Sequence, residues 1–448
     1  MKKYVSILLF AGLLAHSAVS VGQYKQTVVN HTQLLSNPGE LLPLKKLDDA
    51  KIAIISAFPK KYQAFIDQAE QYAEVSRFDF SDYYEQTKFY NTLIVVGTAA
   101  DLRSDLLAMV MQSHANHKTV ILCEFLDATA VGSGDFAHGA HAAIATLQGK
   151  DIAAPSQQQV AMSIFGGMSI TEGAHKTVQT RIQYGQGQGS GLNLNKLGAQ
   201  IDAIAAEAIR EKATPGMVVM ALKDGQVIFD KAYGSHTYDN RVPTTVNDIF
   251  DMASISKIVG TTPVIMHLQE TQTIALDSTI GHYLGQARTT NKKDIPLRSV
   301  LLHEAGFTPF IPFYKNLKTG DLQYVKDEQH QVQVADHAFL KNNFYMDVMW
   351  PQMLSSAVKP TGNYVYSDIS MYVMKEVAEQ VTSIPMESYV QELLYRPIGM
   401  KTAGYNPLTR FPKARIVPTE NDSSFRKELL QGYVHDQGAA MAGGVAGH

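Results

Sequence analysis

The sequence contains little cysteine, no excess of positive charge and no charge-free apolar run long enough to cross a membrane. Only one of its 448 residues, Cys123, is a cysteine. An internal disulfide and a metal cluster held by several cysteines are therefore excluded. The 39 lysines and arginines are balanced by 42 aspartates and glutamates, for a formal net charge of −3. No basic field exists to hold a phosphate backbone, which argues against a nucleic-acid partner.

The remaining composition is that of a globular protein with more than one domain. Hydrophobic residues make up 45% of the chain, an ordinary share for a folded protein and too high for a disordered one. A length of 448 residues leaves room for two or three domains with cores of their own.

The N-terminus has the pattern of a cleaved secretory signal. Lys2 and Lys3 precede an apolar run over 5–15, and small residues at 18–20 have the spacing that signal peptidase prefers. The run is shorter than the about 20 residues that a membrane span needs. We therefore predict a signal peptide over 1–22, a periplasmic or extracellular mature protein, and no stable membrane insertion after cleavage.

The first zone of the mature chain alternates apolar runs of strand length with stretches of helical character. The runs at 51–56, 91–97 and 119–125 are continuously apolar, as in strands buried on both faces. Helical patterns fill 60–74 and 101–116 between them. This alternation predicts a parallel sheet covered by helices.

A flexible segment separates the two zones. The glycine-rich run YGQGQGSG at 184–191 is typical of a linker. We predict an α/β domain over 23–183, a linker over 184–193 and a second domain over 194–448. The second domain should open with an amphipathic helix, followed by a hairpin whose turn lies at 223–225.

The strongest catalytic candidate in the second domain is the serine of Ser254-Ile255-Ser256-Lys257, which precedes an apolar helical run. A spacing of three residues places Lys257 on the helical face that carries the Ser254 hydroxyl. A lysine beside a serine is a recognised way to activate the hydroxyl. The pattern alone leaves two interpretations open, a nucleophile or a helix cap, because serine is also a preferred N-cap.

Two further occurrences of the same spacing show how weak the pattern is. Ser356 to Lys359 is followed by a proline, which disfavours helix, and Ser424 to Lys427 lies in a polar run. A second element strengthens Ser254: in YVYSD, Tyr366 and Asp368 could aim a phenol and a carboxylate at the serine and lysine. The alternative is a core tyrosine beside a solvated aspartate.

The order of these motifs resembles the serine β-lactamase-related family, which includes class C β-lactamases, D,D-peptidases, penicillin-binding-protein-like proteins and esterases. The resemblance rests on FDMASISKI, LLHEAGF, YVYSD, IVPTEND and GYVHDQGAAMAGGVAGH. It implies an antiparallel sheet flanked by helices, with a helical subdomain. It also implies that Ser254 is the acylated nucleophile, Lys257 its proton acceptor and Tyr366 a second acid/base.

Two positions depart from the pattern of class C β-lactamases. Asp368 stands where those enzymes usually have asparagine, and in this it resembles esterase-like members. The family's third motif, Lys-Thr-Gly or His-x-Gly on a strand, would begin at His448, where it would line the substrate cleft. The expectation is therefore a truncated chain, catalytically incomplete and lacking the strands that close the sheet.

The first zone carries a second resemblance. LLSNPGELLPLKK at 34–46 with KIAIIS, and QQQVAMSIFGG at 157–167, are similar to the C-terminal α/β domain of glycoside hydrolase family 3. That family takes its nucleophile from a preceding barrel, and this zone offers no identifiable pair of carboxylates at the spacing that a retaining glycosidase requires. We interpret the zone as a structural or carbohydrate-contacting domain fused to the hydrolase.

The sequence thus predicts a secreted serine hydrolase that forms an acyl-serine intermediate with an ester, amide or lactam. The substrate would be a small molecule, a peptidoglycan-like peptide or a glycan. One alternative is a catalytically silent glycan- or peptidoglycan-binding protein, and a third possibility is a family 3 β-glycosidase.

No cofactor is expected. No GxGxxG follows the first strand, and His303-Glu304 does not continue into a zinc motif, because Phe307 occupies the second histidine position. His435 beside Asp436 is interpreted as a lining or structural residue.

Overall fold

The structure is a computed structural model that describes residues 31–47, 49–79, 86–102, 108, 112–113, 116–126, 144–185 and 190–447. The predicted signal peptide, His448 and much of the helix predicted over 101–116 lie outside these residues. The chain divides into two compact units. The first contains residues up to Leu44, Lys51–Ile204 and Val219–Asp230, and the second contains Lys45–Ala50, Ala205–Val218 and Lys231 onward. The domain limits predicted at 23–183 and 184–193 stay predictions.

The first unit is built on a seven-stranded sheet. Its strands are β1 Gln33–Ser36, β2 Ile52–Ile55, β3 Val75–Phe78, β4 Thr92–Thr98, β5 Thr119–Phe125, β6 Ala145–Gly149 and β7 Glu172–Gly173. Their order across the sheet is β3-β2-β4-β5-β6-β1-β7. The pairs from β3 through β6 are parallel, whereas β1 runs antiparallel to β6. The three apolar runs of the sequence form β2, β4 and β5, which are neighbours in the centre of the sheet.

Two helices of this unit follow from local sequence signals. Helix α1 (Gln63–Glu70) forms within the predicted stretch 60–74. Helix α2 (Ala154–Phe165) has a proline in its first turn and ends at Gly166, which adopts a left-handed φ of 80°. A Cβ at Gly166 would come within 2.2 Å of the Thr180 hydroxyl. Glycine is therefore required at this helix end for both its backbone conformation and its small size.

The amphipathic helix and the hairpin predicted after the linker are both present. Helix α3 covers Leu194–Arg210, and strands β9 (Gly216–Lys223) and β10 (Gln226–Gly234) are joined by Asp224 and Gly225. Both turn residues have positive φ, 50° and 75°, as a two-residue hairpin turn requires. The third strand of this sheet is the short β8, Gln183–Tyr184, which pairs in parallel with β10.

The second unit is mainly helical, with small sheets. In the part of the chain that the structure describes, strands after β10 form one sheet of three strands and one of two, smaller than the antiparallel sheet expected from the family resemblance. Its elements are α4 Thr262–Glu270, α5 Ile280–Tyr283, α6 Leu297–Leu301, β11 Leu322–Gln323, β12 Val332–Ala335, β13 Ala338–Leu340, α7 Trp350–Ser355, α8 Ile369–Thr382, α9 Met386–Val390, β14 Glu420–Asp422, β15 Glu428–Leu430 and α10 Gln437–Met441.

Shorter helical turns connect these elements. The 3₁₀ turns are Pro38–Glu40, Pro59–Tyr62, Ala253–Ile255, Gly285–Thr289, Phe313–Asn316, Pro407–Thr409 and Lys413–Arg415, and the π turns are Lys257–Thr261, Tyr345–Met349 and Gln391–Tyr395. None of the helices that the structure describes has the length and apolarity of a membrane span.

Helix α8 organises the core of the second unit. It packs against α4, α5 and α6, because Ile369, Val373 and Val377 recur every four residues and are buried on one face. Helix α4 contributes Val264 and Leu268 to the same core. The two helices thereby fix the positions of the residues that precede them, which include Lys257 and Asp368.

Lys292 is a fully buried lysine in this core, with 0% of its surface exposed. Its ammonium donates to three neutral oxygens: Oδ1 of Asn291 and the carbonyls of Leu354 and Ser356, at 3.0, 3.1 and 2.6 Å. Burial lowers the pKa of Lys292 to about 8. An unfolded lysine titrates near 10.4, so between pH 8 and 10 the unfolded chain binds more protons than the folded one.

We therefore expect the free energy of unfolding to rise with pH in this range because of Lys292. Urea unfolding at pH 7.5 and 9.5 should show a larger increase for the wild type than for Lys292→Met, in which the group cannot titrate. An equal change in the free energy of unfolding of the two proteins would show that Lys292 does not cause the pH dependence.

Candidate active site

Ser254 and Lys257 lie where a 3₁₀ turn passes into a longer helix. Ser254 is in the turn Ala253–Ile255, Lys257 begins the π turn Lys257–Thr261, and α4 follows directly. The Ser254 side chain is exposed, whereas Lys257 is buried. Lys257 Nζ donates to Ser254 Oγ at 2.9 Å. A buried amine therefore contacts a hydroxyl that an external molecule can reach.

The charge of Lys257 is balanced by Asp368. Lys257 Nζ lies 2.8 Å from Asp368 Oδ1, and the lysine side chain is only 5% exposed. The same Nζ lies 4.8 Å from the centre of the Tyr366 ring, a cation–π distance. A buried ammonium without such partners would be costly, so these two contacts explain how a lysine is kept beside Ser254.

The segment that carries Tyr366 and Asp368 is held by the loop after α6. The backbone N–H groups of Val365 and Asp368 donate to the carbonyls of His303 and Pro309, at 2.8 and 2.9 Å. The Ser367 hydroxyl donates to the Thr308 carbonyl at 2.6 Å. Asp368 is also the residue before α8. The loop and the helix together fix the carboxylate opposite Lys257.

His303 packs against Tyr366 and contacts the backbone of the next residue. Its ring lies 4.8 Å from the Tyr366 ring, centre to centre, and its Nδ1 accepts a hydrogen bond from the Ser367 N–H at 3.2 Å. Burial and, to a smaller extent, the positive charge of Lys257 lower the pKa of His303. The ring is therefore neutral near pH 7, and its proton is on Nε2.

The structure brings together four of the five residues predicted from the sequence. Ser254, Lys257, Tyr366 and Asp368 form one cluster, and His448 lies outside the described residues. The other two serines that precede a lysine by three residues form hydrogen bonds with other groups. The Ser356 hydroxyl donates to the Met353 carbonyl at 2.7 Å, and the Ser424 hydroxyl donates to Asp422 at 3.1 Å. Spacing alone does not create the pair.

A cavity of about 280 Å³ adjoins the cluster. Asp368 and Tyr372 form part of its wall, and Phe310 and Tyr314 supply aromatic surface. The phenylalanine is 63% exposed, so an external molecule can reach this aromatic surface. The cavity gives room for a substrate group of moderate size beside Asp368, the residue that pairs with Lys257. Within the described ranges, no three His, Cys, Asp or Glu side chains are grouped as metal ligands.

A family model described as Beta-lactamase matches residues 201–446, which is more than half of the chain and includes the whole cluster. A curated protein of Escherichia coli O157:H7, "Putative D-alanyl-D-alanine carboxypeptidase", is 27% identical over 283 residues, 58% of this chain and 61% of the relative. A protein of the same description from Salmonella heidelberg (strain SL476) is 24% identical over 259 residues, 52% of this chain and 56% of the relative. The chain thus spans about three fifths of these relatives.

Solved structures give more distant likenesses. The octameric penicillin-binding protein homologue from Pyrococcus abyssi is 20% identical, with a TM-score of 0.40, over 55% of this chain and 52% of that chain. A class C beta lactamase is 20% identical, with a TM-score of 0.35, over 47% of this chain and 51% of that chain.

Proposed function

The chain belongs to the Beta-lactamase family, and on that premise we propose that it is an exported serine hydrolase that acylates Ser254. The observation that carries this proposal is the hydrogen bond of 2.9 Å between Lys257 Nζ and Ser254 Oγ. An exposed hydroxyl in contact with a buried amine is one arrangement by which a base can activate a serine nucleophile. The predicted signal peptide supports export to the periplasm or the medium.

In the proposed acylation step, Ser254 Oγ attacks the substrate carbonyl carbon and forms the ester bond. The hydroxyl proton passes to Lys257 in its neutral amine form or to Tyr366 in its phenolate form, and the same proton is then delivered to the leaving group. The Ser254 backbone N–H supplies one donor for the oxyanion. In deacylation, a water attacks the ester carbonyl carbon with Tyr366 and Lys257 as base, and the bond to Ser254 Oγ breaks as the proton taken from the water passes to Oγ. Asp368 stabilises the ammonium that Lys257 becomes when it accepts a proton.

The substrate that we favour is a peptide with a D-Ala-D-Ala-like end. The description of the curated relatives, D-alanyl-D-alanine carboxypeptidase, supports this choice. The cavity beside Asp368, with its aromatic wall, supports a substrate that is larger than a simple acetyl ester. Esters and lactams remain the other two classes that the same nucleophile could acylate.

Covalent labelling distinguishes these classes. We expect a fluorescent penicillin and a fluorophosphonate both to label the protein, and peptide mass spectrometry to place both labels on Ser254. Labelling by the fluorophosphonate alone would favour an esterase. Labelling by neither would contradict the proposed function and favour a binding protein.

A second candidate function is glycan binding by the first unit, without catalysis. It is favoured by a cleft of about 510 Å³ lined by amide side chains, including Gln71 and Gln158, and by the aromatic rings of Tyr184 and Phe229. Amides offer both donors and acceptors to sugar hydroxyls, and rings pack against sugar faces. The relation of this unit to glycoside hydrolase family 3 is part of this proposal. It requires saccharide binding that survives Ser254→Ala.

A further inference from the structure

The turn that presents Ser254 has a strained backbone. Ala253, the residue before the serine, has a φ of 46°, in the left-handed region that alanine rarely occupies. Such a conformation is energetically unfavourable and persists only where surrounding groups hold it. Asp251 contacts this turn: its Oδ1 accepts a hydrogen bond from the Ala253 N–H at 2.9 Å.

The other oxygen of the Asp251 carboxylate is held by His435. Asp251 Oδ2 accepts from the His435 backbone N–H at 3.0 Å and lies 3.1 Å from the ring Nδ1. Burial alone would raise the pKa of Asp251, but the hydrogen bonds from His435 and Ala253 lower it overall. The carboxylate is therefore charged near pH 7, and each of its oxygens has a fixed partner.

The His435 backbone is held by Arg426, which forms a buried ion pair with Asp422. The guanidinium of Arg426 donates to the carbonyls of Val434 and His435, at 2.7 and 2.6 Å. Its Nε donates to Asp422 at 2.9 Å, and both side chains are completely buried. An arginine with three acceptors in fixed positions has little freedom, so a shift of the His435 backbone would break its hydrogen bond to Arg426.

These contacts form one chain of hydrogen bonds that ends beside the nucleophile. We propose that His435 is a positioning residue for acylation: it holds the Asp251 carboxylate, which keeps the Ala253 turn in the conformation that presents Ser254 to Lys257. The inference rests on the proposed function of Ser254. It assigns to His435 a role in the rate of acylation that is separate from substrate binding.

The charges around His435 favour this role. Asp251 is its nearest partner, and Asp436 and Glu420 also act to raise the pKa of His435. Asp436 is the N-cap of α10, where it accepts from the Ala439 N–H. With negative charge on these sides, a proton on Nδ1 is favoured, and from there it can be donated to the Asp251 carboxylate.

The test compares two substitutions of His435. His435→Leu removes the Nδ1 donor, and we expect the second-order rate of fluorophosphonate labelling to fall about tenfold or more, because small misplacements of a nucleophile are costly. His435→Asn places an amide N–H near the Nδ1 position and should keep the rate within about threefold of the wild type. Equal losses in both variants, or no loss in His435→Leu, would overturn the proposal.

His337 provides a matched control. Its backbone N–H and Nδ1 contact the two oxygens of Glu428 at 3.0 and 3.1 Å, much as His435 contacts Asp251. His337→Leu should leave the labelling rate unchanged. A loss as large as that of His435→Leu would mean that any such substitution slows labelling, which would also overturn the proposal.

Hydrogen exchange separates this proposal from the proposed function. The Ala253 N–H should exchange about tenfold faster in His435→Leu than in the wild type or His435→Asn, whether or not Ser254 is reactive. If the wild type is not labelled, the proposed function fails, and this exchange result alone decides whether His435 holds the turn. Unchanged exchange in His435→Leu would refute it.

Discussion

Ser254→Ala should abolish covalent labelling by fluorophosphonate and penicillin probes. Alanine cannot form the ester bond, so the expected loss in labelling rate is at least about 10³-fold, the scale seen when a catalytic serine is removed. Because the Ser254 side chain is exposed, its removal should leave the folded state intact. Labelling rate, measured by gel fluorescence, and the thermal midpoint together provide the readout.

The sequence contains its own controls for this experiment. Ser356→Ala and Ser424→Ala alter the other two serines that precede a lysine at the same spacing, and both should label like the wild type. A Ser254→Ala protein that labels as fast as these controls would rule out Ser254 as the nucleophile.

Lys257→Met should slow labelling of Ser254 by about 10²–10⁴-fold, the usual contribution of a group that transfers a proton. Methionine approximates the length of the lysine stem but cannot contact Ser254 Oγ as an amine. The substitution also leaves the Asp368 carboxylate without its cation, so some loss of stability is expected as well. Stopped-flow or timed labelling gives the rate, and urea unfolding gives the stability.

Two further variants separate the loss of catalysis from the loss of stability. Lys375→Met removes another buried lysine, one that pairs with Glu376 and Glu379 in α8, and should change stability without slowing labelling. Lys257→Met combined with Asp368→Asn removes the unpaired charge and should restore stability but not rate. If the double variant labels normally, Lys257 does not accept the proton.

Much of this site could be predicted from the sequence because its signals are local. The spacing of Ser254 and Lys257 determines that they share a face of a helical turn. The continuous apolar runs identified β2, β4 and β5 because buried parallel strands leave no polar face. Asp224 and Gly225 indicated the hairpin because a two-residue turn needs positive φ.

The supporting contacts could not be predicted, because they join distant parts of the chain. Asp251 and His435 are separated by 184 positions, and no pattern in either segment indicates that they meet. The left-handed conformation of Ala253 was also hidden, because alanine carries no preference for it. Among candidates with the same spacing, Ser254 was distinguished by the apolar run that follows it, since only that run could form the buried helix α4.

The π turn that begins at Lys257 has a consequence for the register of the whole segment. A π turn adds one residue without adding a turn, so the side chains after it are rotated by about 100° relative to an uninterrupted α-helix. Ser254 before the turn and Lys257 at its first position therefore belong to a different helical phase from the buried face of α4 after it, with Val264 and Leu268. A deletion of one residue within Lys257–Thr261 would merge the two phases. The core side chains could then stay buried only if the serine and lysine turned away from Asp368.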